Sequence, residues 1–113
     1  MAKYLIAIHH PDDYNPAIAE DAAMDREIDA LNEEMVAAGV RVFVGGLHPA
    51  RSAKSLRIDS DGRAVVSDGP FLRTTEHVGG FWVLEVATLE DALAWGRKAV
   101  FACRAPVEVR QFH

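Results

Sequence analysis

Histidines and carboxylates are the groups in this chain suited to moving protons near neutral pH. His9 closes one run of strand-forming residues, and His48 follows another. Imidazole titrates near neutrality, so it serves as acid or base with little tuning. Asp68 stands in the turn sequence Asp68-Gly69-Pro70-Phe71. A carboxylate held there would act as a base or orient an imidazole, or its side chain would simply cap the turn by accepting backbone N–H groups. A pair made of His9 or His48 with Asp68 would suit proton abstraction beside a carbonyl, or loss of a halide or water. Arg73 would clamp a ligand carboxylate in bidentate fashion, sit solvated in its loop, or pair with Glu76. Glu76 and His77 are adjacent, and neighbours on a strand point to opposite faces, so at most one of them faces a cavity. Phe71, Phe81, Trp82 and Trp95 would line an apolar pocket or fill a core or interface.

Other chemistry is excluded or unsupported. There is no phosphate loop, no dinucleotide fingerprint and no nucleophile elbow, so no cofactor is expected. His9-His10 makes a poor metal site, because adjacent side chains diverge and no spaced third ligand follows; no metal is expected. Cys103 is the single cysteine, which rules out an internal disulfide and a cysteine-cluster zinc site. It reads as buried filler near a helix end. Twelve bases against seventeen acids give a net charge of −5, against the basic excess of a general nucleic-acid binder. No apolar run approaches the ~20 residues of a membrane span, and no signal pattern opens the chain. These features predict a cytoplasmic protein with no nucleic-acid or membrane partner. Its 113 residues form one domain, 1–113.

The elements that position these groups follow from periodicity. Lys3 to His9 alternates as a strand, and His10 to Tyr14 is a loop. Asn15 with Pro16 starts a helix whose apolar stripe, Met24, Ile28, Leu31, Met35 and Ala38, runs to a Gly39 cap. Its exposed side is acidic: Asp12 to Glu34 holds nine acids and one base. Val40 to Leu47 is a second strand, interrupted by Gly45-Gly46, which signals a bulge or a close backbone approach. Ser55 to Asp59 and Arg63 to Val66 flank Asp61-Gly62 as a hairpin. Gly80 to Val86 is a strand apolar on both sides. Thr88 opens a second helix, and Val107 to Phe112 is the last strand.

The order is β-α-β, a hairpin insertion, then β-α-β. It predicts an α+β, ferredoxin-like split arrangement: an antiparallel sheet with two helices on one face. Two helices cover only one side of strands that are apolar on both. The uncovered side predicts a homodimer with sheets packed face to face around a cavity.

The segment from Gly45 onward resembles the YCII-related family, in its DGPF-domain branch. The resemblance rests on Gly45-Gly46-Leu47 with Pro49, the Asp61-Gly62 hairpin, Asp68-Gly69-Pro70-Phe71, Glu76, Gly79-Gly80-Phe81-Trp82, Leu89-Glu90-Asp91-Ala92 and Val107-Glu108-Val109-Arg110. It implies the dimeric α+β barrel fold, a fold shared with isomerases, dehalogenating enzymes and monooxygenases, many of them metal-free. Some DGPF domains are linked to alternative sigma factors. The resemblance includes Glu76 and so favours it over His77 as the cavity-facing residue. Arg73 and Thr75 depart from the usual pattern of an acid and a lysine, and Gln111 replaces an expected proline.

Three functions remain in view. One is a cofactor-independent lyase, isomerase or hydrolase acting on a small organic acid or phenolic compound, with His9, His48 and Asp68 catalytic and Arg73, Glu76 and Phe71 contacting the ligand. The second is a small-ligand-binding or regulatory module without turnover. The third is a dimer whose barrel is filled by side chains.

Overall fold

The computed structural model describes residues Met1–His113. Six strands and three helices follow one another as β1 (Ala2–Pro11), α1 (Pro16–Ala19), α2 (Ala22–Ala37), β2 (Arg41–Gly46), a single 3-10 turn (Ala50–Ser52), β3 (Lys54–Ile58), β4 (Ala64–Asp68), β5 (Glu76–Val86), α3 (Leu89–Cys103) and β6 (Val107–Gln111). The main sheet runs β2-β5-β1-β6, with every neighbouring pair antiparallel. This is the ferredoxin-like arrangement expected from the element order, with the β3–β4 hairpin inserted between its two halves.

The core lies between this sheet and the helices. Tyr4, Ile6 and Ile8 of β1 alternate inward, as do Trp82, Leu84 and Val86 of β5. They meet Leu31 and Met35 of α2 and the small residues Ala92, Ala99 and Ala102 of α3, which let that helix approach closely. Trp82 is buried, and its indole N–H donates to Asn32 Oδ1 at 2.9 Å. The same oxygen accepts from Arg41 Nη1 at 3.2 Å. That arrangement satisfies the buried indole, and no buried side-chain N or O atom is left unpaired.

The first helical stretch differs from the sequence reading. The spacing predicts one helix from Asn15 to Gly39, whereas the chain makes a single turn, breaks at Glu20-Asp21, and restarts. Both starts are capped: Asn15 Oδ1 accepts from Ala17 N at 3.1 Å, and Asp21 Oδ1 from Met24 N at 2.8 Å. An aspartate that bonds the backbone three residues ahead competes with its own place inside a helix. Glu20 is thereby left extended (φ −99°, ψ 127°), and its carboxylate accepts from the Tyr14 hydroxyl. Strand β5 also begins four residues earlier than periodicity predicts, at Glu76 instead of Gly80.

Two surfaces lack cover. On the sheet face away from the helices, Leu5, Phe43, Phe81 and Val83 form an apolar strip, with Phe43 half exposed and its ring 5.7 Å from that of Phe81. The β3–β4 hairpin pairs only with itself and projects as an arm. It carries Leu56, Ile58 and Val66 exposed along one side. The arm gives the chain a radius of gyration of 16.1 Å, where a compact fold of this length has about 13 Å. No helix is long and apolar enough to cross a membrane.

Candidate functional site

Strand β5 carries one residue more than β1 can pair. Ile8 sits opposite Gly80 and His9 opposite Val78, so Gly79 is the extra residue of a bulge. Past it, the alternation of β5 is reversed. His77 pairs with His10 and Val78 with His9. Cross-strand partners share a face, so His10 and His77 both lie on the helix side of the sheet.

A cavity of about 260 Å³ opens there, at the end of the sheet and under α2. Ile8, Met24, Ile28, Val44 and Trp82 supply its apolar wall. His10, His48 and His77 stand at its mouth together with Asp12, Tyr14 and Glu20. The glycine pairs Gly45-Gly46 and Gly79-Gly80 bring bare backbone to its edge.

His10 is clamped from both sides. Its ring stacks on that of Tyr14, with centroids 3.7 Å apart and planes 15° from parallel. On the other side it lies over Gly79, where a Cβ would fall 2.1 Å from Nδ1. Any side chain at position 79 would expel the ring. Tyr14 is held in turn, its hydroxyl donating to Glu20 Oε2 at 2.8 Å. Burial pushes the His10 imidazole below its usual value; the Glu20 carboxylate opposes this in part, and His9 adds to the lowering. Burial wins, so His10 favours its neutral form. Burial, then the Glu20 hydrogen bond, push the Tyr14 phenol well up. The Cys103 thiol, buried behind Glu20, is pushed up to about 11, again chiefly by burial. Both stay protonated near neutrality, so neither is a ready nucleophile.

His77 has a different partner. Its Nε2 lies 2.9 Å from Asp12 Oδ1, at the turn that follows β1. A carboxylate on one ring nitrogen fixes the tautomer and leaves the other nitrogen free to accept or give a proton.

Of the candidates named from sequence, the structure brings His48 to this mouth. His9 projects to the opposite sheet face from His10. Glu76 pairs with Pro11 at the strand start and is exposed, and it is His77 that lines the cavity. Asp68 ends the arm strand β4, and its carboxylate pairs with Lys54, not with a histidine. The turn beyond it is tied by other groups: Gly69 N donates to Ala53 O at 2.7 Å, and Ser55 Oγ donates to Gly69 O at 2.7 Å. Phe71 is half exposed under the Arg57 guanidinium, 4.1 Å from its ring centroid, and Arg73 is exposed in the loop that follows. None of these five lines the cavity. Sequence reading passed over Tyr14, Glu20 and Asp12, weighed His10 only as a metal ligand, and ranked His77 below Glu76. A glycine inside a strand, two residues from a histidine, was the available signal.

An antiparallel four-stranded sheet with helices on one face, and an imidazole-rimmed cavity beside a strand bulge, defines a ferredoxin-like α+β protein. The YCII-related domain matches this chain over residues 1–112, and the chain belongs to that family. It is similar to an uncharacterised protein of Rhizobium meliloti (strain 1021), with 37% identity over 78 residues. That match covers 69% of this chain and 62% of the relative, so it spans less than two thirds of the relative's length.

Proposed function

We propose that this protein binds a small organic molecule in the bulge cavity and moves a proton on it without a cofactor, as a lyase, isomerase or hydrolase does. The observation that carries this reading is the mouth itself. Three imidazoles ring an apolar cavity, one oriented by a carboxylate and one clamped between a tyrosine and a glycine. His77, oriented by Asp12, takes the proton; His48, also at the mouth, returns one to the product or leaving group; His10 hydrogen-bonds the reacting oxygen. The work is done as a homodimer in the cytoplasm. The uncovered strip of Leu5, Phe43, Phe81 and Val83 supports the dimer, because such a strip is costly to leave in water. His9, Glu76, Asp68, Arg73 and Phe71 lie off the cavity of their own protomer and would join a site only across that interface.

A second reading, a binding or regulatory module without turnover, draws support from the carboxylates. Glu20 is already engaged by Tyr14 and Asp12 by His77. Native mass spectrometry of gently purified protein, followed by incubation with any ligand found, separates the readings. A dimer carrying a discrete extra mass that is converted on incubation supports the enzyme. The same ligand recovered unchanged supports the module. A protein that carries nothing, and that no small organic compound stabilises, overturns both.

A further inference from the structure

The chemistry of the cavity wall restricts the charge of what enters. No lysine or arginine lines it, although the chain has twelve. Of the arginines next in sequence to lining residues, Arg104 bonds Asp21 and approaches Glu27, and Arg51 is exposed to solvent outside the lining. The acidic side chains that reach the mouth are two, Asp12 and Glu20. Asp12 Oδ1 is engaged by His77 Nε2 at 2.9 Å. The indole N–H of Trp82 and the hydroxyl of Tyr14 are spent on Asn32 and Glu20, so neither is free to solvate an anion.

We infer that the cavity selects an uncharged ligand, one substituted ring bearing a hydroxyl or carbonyl, and rejects the corresponding carboxylate. This rests on the cavity being the ligand site, and it chooses between the two ligand classes that the sequence left open. A carboxylate would leave water for an apolar wall with no cation to meet it, beside two groups of its own sign. A neutral hydroxyl needs one acceptor, and an imidazole supplies it. His10 reinforces the selection, because burial favours its uncharged form. Size agrees: the cavity is about 260 Å³, whereas a closed cavity of roughly 150 Å³ holds benzene.

The test uses two compounds with the same ring, p-cresol and p-toluate, titrated into the full chain at neutral pH by calorimetry. The expected result is that p-cresol binds and p-toluate binds at least about tenfold more weakly. Replacing the mouth acids, by Asp12→Asn with Glu20→Gln, then narrows that gap. Toluate binding as well as or better than cresol overturns the selection while leaving the cavity as a ligand site. Binding of neither compound, with an anionic molecule found in the purified protein, overturns it in the same way. Binding of neither, with nothing carried, removes the ligand site and this inference together.

Discussion

The His10 ring occupies the space that a side chain at position 79 would fill, so glycine at the bulge and histidine in the cavity are one feature. Gly79→Ala is expected to force the ring off Tyr14 and towards water. The cost should resemble other overpacking changes, about 1–3 kcal/mol. The His10 pKa should rise towards its ordinary value as burial is relieved. NMR titration of the His10 ring protons checks this, and an unchanged titration would show that the ring is not held by Gly79.

Stability should depend on pH through the same residue. Burial holds His10 below its usual value in the folded chain. The unfolded chain therefore binds the proton first as pH falls, and it gains relative to the fold. Stability is fully present above the ordinary imidazole value of about 6.5 and is lost as pH drops towards the lower folded value. Asp21, held low by its bond to Met24 N and then by Arg104, adds a separate loss in the carboxylate range. Melting temperature followed from neutral to mildly acid pH should fall in wild type and fall less in His10→Gln. Equal slopes for the two would remove His10 as the cause.

Glu20 raises three neighbours at once: Tyr14, Cys103 and His10. In Glu20→Gln the His10 imidazole should titrate lower still, because only the burial and His9 influences remain. The Cys103 thiol should fall from about 11 without reaching its ordinary value, since its burial is untouched. Cys103 is the single cysteine, so the pH dependence of its alkylation rate reads this thiol alone. A His10 titration that moves upward contradicts the arrangement.

The open sheet face gives an assembly test. Phe43→Asp places a charge in the strip beside Phe81 and points away from the core. Sedimentation should show a dimer for wild type and a monomer for the variant, with the helix signal by circular dichroism retained. A monomeric wild type would end the face-to-face packing argument, and a dimeric variant would move the interface elsewhere.

The sheet, the two long helices and the hairpin were legible because each has a local signal. Alternation marks β1 and β5, Thr88 caps α3, with Asp91 N donating to its Oγ1 at 3.1 Å, and Asp61-Gly62 turns the arm. The mouth of the cavity was less legible because it depends on two departures from period. Counting alternately back from Trp82 puts Glu76 on the inner face and His77 outside; the bulge at Gly79 reverses them. An unbroken helix from Asn15 would carry Glu20 along its surface; the competing Asp21 cap turns it towards Tyr14. His48 was reachable from sequence because it follows directly from the end of β2.

The detached arm also gives the molecule two clocks. Amides of β1 and β5, bonded on both sides within the sheet, exchange with solvent only when the whole domain opens. Those of β3 and β4 have one another alone, and a lone two-stranded hairpin is marginal in water. With nothing outside the chain covering it, the arm is expected to open more often than the sheet. Proteases and hydrogen exchange would meet it first, and a slowing of its clock would report the arrival of a partner.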